Sequence, residues 1–334
     1  MATTFYLETH SQDPSYNLAF EEYVQANRRE GNYLILWQNK NAVIIGRNQN
    51  AEAEIHRDFV DSRNISVIRR NTGGGAVYHD LGNLNYSFIT DAADVSQRSA
   101  DLFTAPVVSA LKKLGLDASA SGRNDILVSD CKVSGTAEHL MKGRILHHGT
   151  LLFDSDLSVV AGALNPDPTK FKSKSVKSVR SRVGNIRQFL PEDMTLTQFW
   201  DYLKTALSDT LVPTELTEVE LAEVKALQQT KYATWEWNFG KSPQYAQVCR
   251  RRFPGGLLEI HMNVTQGSIS QLKIFGDFLG LTPVTPLENA LIGCACREEA
   301  LETALAAVSD FSCLGGITRE QLLDTLLQRN EEAR

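Results

Sequence analysis

The sequence predicts an α+β protein of two domains, a larger one over residues 1–244 and a smaller one over 245–334. Three observations predict it. Runs of strand length rich in apolar and β-branched residues follow a single amphipathic opening helix. Helical patterns recur at 102–114 and then, after a second group of strands, at 196–211 and 218–229. Beyond 245, three strand-like runs precede three helical ones, so strands and helices are grouped rather than strictly alternating.

The opening helix begins at Asp13-Pro14, a capping residue followed by proline at the first helical position, and Tyr16, Phe20, Tyr23 and Val24 continue at helical spacing. Short strands are expected at 33–37, 42–46 and 65–70, and a further helix at 102–114. From 125 to 153, apolar segments interrupted by polar and glycine-rich stretches suggest several strands around a cleft. The segment 170–187 crowds Lys170, Lys172, Lys174, Lys177, Arg180, Arg182 and Arg187 among serines, and reads as a mobile basic loop or as solvated surface charge. The aromatic run Trp235-Glu236-Trp237-Asn238-Phe239-Gly240 is expected to end the large domain. In the small domain, strands are expected at 246–252, 256–263 and 268–275, and helices at 287–291, 298–308 and 319–328.

Composition narrows the function class. With 42% hydrophobic residues over 334 positions, the chain can bury a sizeable core, which excludes a disordered or fibrous protein. Forty acidic against 34 basic residues leave a net charge of −6, so there is no general electrostatic reason to bind nucleic acid or an anionic membrane. No apolar run approaches the roughly 18 residues of a spanning helix, and the start has no signal-peptide character, so the expected address is the cytoplasm. Five cysteines without metal-ligand spacing read as reduced thiols.

The strongest local signal is Arg69-Arg70-Asn71-Thr72-Gly73-Gly74-Gly75-Ala76-Val77-Tyr78-His79-Asp80. Three glycines remove the β-carbon from a loop, so backbone N–H groups can approach a ligand, while arginine captures phosphate or carboxylate. A bare glycine turn with solvated arginines is the alternative. The loop is neither a Walker A motif nor a dinucleotide fingerprint, because no lysine and hydroxyl residue follow the glycines and the GxGxxG spacing is absent. His147 and His148 invite a metal reading, but neighbours on a strand point to opposite faces.

The run RRNTGGGAVYHDLGNLNYSF, at 69–88, resembles the signature of the lipoate-protein ligases, in the long single-chain bacterial form. Three further blocks are similar to that family's in the same order: Gly122-Arg123-Asn124-Asp125-Ile126, Lys132-Val133-Ser134-Gly135-Thr136-Ala137 and His147-His148-Gly149-Thr150-Leu151-Leu152. The likeness reaches outward to 178–183 and 235–240 and includes the C-terminal part. It implies a catalytic domain like those of class II aminoacyl-tRNA synthetases and biotin-protein ligases, with mixed sheets and flanking helices, beside a smaller α+β domain that pivots between steps.

The resemblance also implies a reaction. Lipoate would be activated with ATP to lipoyl-AMP, releasing pyrophosphate, and the lipoyl group would pass to a lysine of lipoyl domains in 2-oxoacid dehydrogenase E2 subunits or of the glycine cleavage H protein. A carboxylate meeting the α-phosphate needs fixed cations and backbone donors. Lys132 would be the catalytic cation, contacting both the lipoyl carboxyl and the phosphate. Arg70, Gly74, Gly75, Ala76, Val77, Tyr78, Asn124, Asp125 and Ala137 would bind ATP or the adenylate, and Asp125 would hold a magnesium ion. Arg70, Gly75, Lys132, His148 and Gly149 would line the lipoyl site, and Lys172, Lys174, Arg180 and Arg182 would belong to a loop that orders over the adenylate. Arg69 could face solvent, and His79, Asp80 and Asn83 would support the glycine loop or form a structural turn.

Three rivals remain. An octanoyltransferase of the same superfamily is kept alive by Cys131, next to Lys132, although a strand neighbour of the lysine should point away from the site. A biotin-protein ligase arranges the residues around its glycine loop differently. A noncatalytic adenylate-binding module has no use for Lys132.

Overall fold

The computed structural model describes residues 3–92, 100–122, 124–164, 183–208, 210–239 and 247–327. The chain runs β1 (Thr4–Glu8), α1 (Pro14–Asn27), β2 (Asn32–Trp37), β3 (Ala42–Ile45), α2 (Ala51–Glu54), α3 (Arg57–Ser62), β4 (Ser66–Arg69), β5 (Val77–His79) and β6 (Asn83–Asp91). It continues through α4 (Ala100–Lys113), β7 (Ala118–Ser121), β8 (Asp125–Val128), β9 (Cys131–Met141), β10 (Arg144–Leu152), α5 (Leu157–Ala163), α6 (Leu196–Ala206), β11 (Leu211–Pro213), α7 (Glu218–Leu227) and α8 (Trp235–Asn238). The C-terminal part holds β12 (Gln247–Phe253), β13 (Gly256–Thr265), β14 (Ser268–Gly276), α9 (Thr285–Leu291), α10 (Glu298–Ala306) and α11 (Arg319–Leu326).

Eight strands form the main sheet in the order β11-β1-β2-β6-β10-β9-β8-β7. Its β1 pairs in parallel with both neighbours, while the strands from β2 onward pair antiparallel, so the sheet is mixed as expected. Both faces of β2 are buried, and strand alternation decides which core each side chain enters. Leu34 and Leu36 join Val107, Leu111, Phe199 and Leu203 under α4 and α6, whereas Tyr33, Ile35 and Trp37 join Leu18, Phe20, Val24 and Val224 under α1 and α7. Asp13 caps α1 by accepting from the N–H groups of Ser15 and Tyr16, with Pro14 in the first turn.

A three-stranded sheet, β4-β3-β5, carries the glycine loop between β4 and β5. The antiparallel meander β12-β13-β14 and helices α9 to α11 enclose a separate core around Leu258, Ile260, Ile274, Leu287, Leu301 and Leu322. That unit docks on the larger one by main-chain hydrogen bonds: Gly276 N–H to Asn48 O at 2.8 Å, Gly74 N–H to Phe278 O at 3.1 Å, and Leu140 N–H to Leu281 O at 3.0 Å.

Two expectations are corrected. The helix expected over 196–211 ends at Ala206, and Leu211–Pro213 instead adds an edge strand to β1; extended β-branched and proline residues suit an edge that needs no further donor. Arg187, assigned to the basic loop, lies in a 3-10 turn, Ile186–Phe189, and binds Asp154 and Asp193 at 2.7 and 2.9 Å. Opposite charges on neighbouring segments hold it in place. Lys172, Lys174, Arg180 and Arg182 lie outside the described residues.

Candidate active site

Strand β4 delivers two arginines to the glycine loop, and both are buried. Arg69, expected at solvent, donates through Nη1 to the carbonyls of Gly46, Arg47 and Gln49, through Nε to Trp237 O and through Nη2 to Asn238 O. Asn238 Oδ1 accepts the Arg69 N–H in return, and the Trp237 indole donates to Arg69 O. Trp237 and Asn238 of the aromatic run therefore clamp this strand. Sequence alone could not find it, because the partners are carbonyls from two segments far apart in the chain.

Arg70 turns inward and shapes the loop. Its Nε donates to Thr72 Oγ1 at 2.9 Å, Nη1 to Ile44 O at 3.0 Å, and Nη2 to Gly73 O and to Gly75 O at 2.9 Å. Burial pushes both arginines down to about 10, still well above neutral pH, so both remain cationic. Gly74 adopts φ +89°, which favours glycine, and a β-carbon on Gly73 would lie 2.5 Å from Phe278 O. The glycines thus serve close backbone approach, here between the loop and the C-terminal unit.

Below the loop lies a cavity of ≈ 360 Å³. Arg70, Gly74, Gly75, Ala76, Val77, Asn124, Asp125, Lys132, Ala137, His148 and Gly149 all line it, although they come from six separate stretches of chain. Its apolar wall is deeply buried, with Leu18 and Ile44 at 1% exposure and Trp37 at 3%. Its charged rim is open: the side chains of Lys132 and Asp125 are 37% and 34% exposed and meet at 2.7 Å.

Tyr78 does not reach the cavity. On β5, Val77 and His79 face it, and alternation sends Tyr78 into the core beside Val43 and Ile45. His79, Asp80 and Asn83 do not bond the glycine loop either. His79 pairs with Asn39, Asp80 holds the N–H groups of Gly82 and Asp156, and Asn83 donates to Asn85. Arg123 lies outside the described residues.

A bulge aims Lys132. The ladder between β8 and β9 pairs Asp125 with Gly135 and Ile126 with Ser134, then shifts so that Leu127 faces Lys132 and Val128 faces Cys131. Val133 is the extra residue. Residues opposite one another share a face, so the shift places Lys132 on the face of Asp125 and Leu127; with no bulge it would oppose Val128 and point away. Cys131 takes the opposite face, where its Cβ lies 3.2 Å from the position a β-carbon on Gly184 would occupy. It does not line the cavity.

The paired histidines separate as strand geometry requires. His147 stacks on Phe103 at 4.9 Å and bonds Glu138, while His148 faces the cavity and donates to Glu21, with Thr72 Oγ1 2.8 Å from its other nitrogen. Thr72 also accepts from Arg70, so Glu21, His148, Thr72 and Arg70 form one chain of contacts behind the glycine loop. Glu21, Trp37, Asn85, Arg252, Asp277 and Leu279 were not anticipated. A signal existed for two of them: Glu21 sits among the apolar positions of α1, and Asn85 belongs to the alternating polar series Asn83, Asn85, Ser87 on a buried strand.

Burial also makes acid sensitivity part of this site. Burial, with Arg70 and His148 nearby, pushes His79 down to about 3, and burial beside Arg47 pushes His139 down to about 4. Both rings are neutral in the fold, while in the unfolded chain they bind protons near pH 6.5. The unfolded state therefore holds more protons between about pH 6.5 and the folded values, and stability falls as pH is lowered through that window. Each ring contributes roughly 1.4 kcal/mol per pH unit below about pH 6.5, so urea unfolding at pH 5 should give a stability on the order of 4 kcal/mol below that at pH 7. His139→Gln should flatten that slope by about half. A stability independent of pH over this range would contradict the burial assignment.

A family model described as the lipoyl protein ligase A/B catalytic domain matches residues 13–208, and one described as the bacterial lipoate protein ligase C-terminus matches residues 242–326. The chain belongs to the lipoate-protein ligase family. Among curated relatives, lipoate–protein ligase 1 of Staphylococcus aureus is 44% identical over 314 residues, spanning 93% of this chain and 96% of the relative. Among solved structures, that of P. falciparum LipL1 in complex with lipoate superposes with a TM-score of 0.79 at 22% identity, covering 97% of this chain and 98% of that one, and so shares the fold. A lipoate-protein ligase A bound with ATP gives a TM-score of 0.62 at 30% identity, covering 72% of this chain and 98% of that one. This ligase has, among its described residues, no helix long and apolar enough to cross a membrane.

Proposed function

We propose that this lipoate-protein ligase activates lipoate with ATP to lipoyl-AMP, releases pyrophosphate, and transfers the lipoyl group to a lysine of E2 lipoyl domains or of the glycine cleavage H protein. The observation that carries the reading is one cavity that combines a buried apolar wall with a charged rim centred on Lys132. An aliphatic chain fits the buried part while its carboxylate meets a cation at the rim. Lys132 would bridge the carboxylate and the α-phosphate, Gly75 and the backbone through Val77 would face the nucleotide, and Asn124, Asp125 and Ala137 would complete its site. Arg70 would act through loop shape and its positive charge, His148 and Gly149 would bound the lipoyl chain, and the pivot of the small unit over 245–334 would separate the two steps. The name of the ATP-bound neighbour supports the nucleotide.

Asp125 supplies one carboxylate, which suits a magnesium ion held mainly by substrate phosphates and water. Such an ion would screen phosphate charge; Asp125 would hold it. The octanoyltransferase reading loses its support because Cys131 lies off the cavity.

The test is mass spectrometry of a purified E2 lipoyl domain incubated with the protein, ATP and lipoate. A mass gain of one lipoyl group, dependent on ATP and accompanied by pyrophosphate, is expected. Modification without ATP would overturn the adenylating mechanism.

A further inference from the structure

The rim of the cavity is completed by the C-terminal unit. Arg252 at the end of β12, Asp277 just after β14, and Leu279 line the same cavity as Lys132 and the glycine loop. Main-chain bonds from Gly74 to Phe278 and from Gly276 to Asn48 bring them there. The arginine is therefore present at the site only while the two units are docked.

Among the described residues, three permanently cationic side chains line the cavity: Arg70, Lys132 and Arg252. Arg70 spends four donor contacts on its own loop, and Lys132 is paired with Asp125 at 2.7 Å. Arg252 contacts Asp277 Oδ2 at 3.4 and 3.5 Å, longer than the roughly 2.7–2.9 Å of a tight charge-assisted bond. Asp277 also accepts the Leu257 N–H at 2.6 Å, which fixes the carboxylate beside the guanidinium at the rim. The Arg252 side chain is 24% exposed, which puts it with the charged rim and not with the apolar wall.

We propose that Arg252 binds the β- and γ-phosphates of ATP and stabilises the pyrophosphate as it leaves, so that it serves activation and not transfer. The assignment rests on the adenylating-ligase reading above. In activation, a carboxylate oxygen of lipoate bonds to the α-phosphorus, and the bond from that phosphorus to the bridging oxygen breaks with its electron pair on pyrophosphate. No proton moves. The charge gathered on the leaving group is what a planar, permanently charged guanidinium stabilises. In transfer, a neutral acceptor amine attacks the carbonyl carbon, AMP leaves with the electron pair of the mixed anhydride and the amine gives up a proton; no pyrophosphate is present for Arg252 to bind.

The experiment uses the full chain and two assays: ATP- and lipoate-dependent pyrophosphate release, and transfer from supplied lipoyl-AMP to a purified E2 lipoyl domain. Arg252→Ala is expected to lower kcat/KM for ATP about 10²- to 10³-fold, the range for removing one transition-state donor. Transfer from supplied lipoyl-AMP should stay within about 2-fold of the parent, because that step makes no use of the side chain. Arg252→Lys keeps the charge but loses the bidentate fork, and should raise the KM for ATP roughly 5- to 10-fold with kcat near the parent value. Unchanged activation in the alanine variant, or equal losses in both assays, overturns the assignment. If the alanine variant does not fold, the lysine variant decides, and an unchanged KM for ATP overturns it. A parent chain that releases no pyrophosphate and lipoylates nothing overturns the ligase reading itself, whereas an active parent with an unaffected variant overturns only the role of Arg252.

Discussion

Lys132→Ala is expected to reduce lipoate-dependent pyrophosphate release by about 10²- to 10³-fold, the usual scale for losing one electrostatic contact to a reacting centre. The structure makes this a test of chemistry and not of folding. The side chain is more than one-third exposed at the cavity rim and lies over Gly135, so its removal opens no enclosed void in the core. Asp125 loses its 2.7 Å partner and leaves an unbalanced negative charge exactly where carboxylate and phosphate should meet, which adds to the loss. Thermal unfolding of the variant should stay close to the parent. Near-normal pyrophosphate release from a folded variant would remove the lysine from the mechanism.

Arg69→Ala should act in the opposite way, through stability. The guanidinium is 8% exposed and satisfies five carbonyls drawn from the 46–49 segment and from the 237–238 clamp. Deleting it leaves several buried acceptors without donors, at roughly 1–3 kcal/mol for each that water cannot reach. A loss on the order of 4 kcal/mol follows from even partial rehydration, large against the typical stability of a domain. Chemical denaturation measures it. A variant within about 0.5 kcal/mol of the parent, the range of an ordinary surface substitution, would show that the clamp contributes no net stability.

The contrast between these two residues shows how much of the site was legible. The glycine run and Lys132 belong to contiguous blocks whose residue types already suit an anionic ligand, and so do Asn124, Asp125 and His148. Arg69 and Arg70 look alike in the sequence, yet one is a structural tie and the other shapes the loop. Tyr78 belongs to the same block, but alternation along the three-residue strand β5 turns its side chain into the core and away from the cavity. Glu21 was passed over because a carboxylate on an apolar helix face is read as exposed until its partners, here His148 and Ser87, are brought to it.

Local pattern by itself determined the α+β class, the opening helix with its Asp13-Pro14 start, the strands near 33–37, 42–46 and 65–70 and in the C-terminal unit, and the blocks that carry the family resemblance, but not β1, β5, β6, β7 or β11. These depend on side-chain periodicity, capping and glycine content, which act over a few residues and need no distant partner. Only the tertiary structure decided that a bulge at Val133 turns Lys132 toward Asp125, that Trp237 and Asn238 lock Arg69, and that Arg252 and Asp277 reach the cavity from the C-terminal unit. Register and docking are set by the sum of contacts between segments far apart in the chain, so no short stretch contains the information that specifies them.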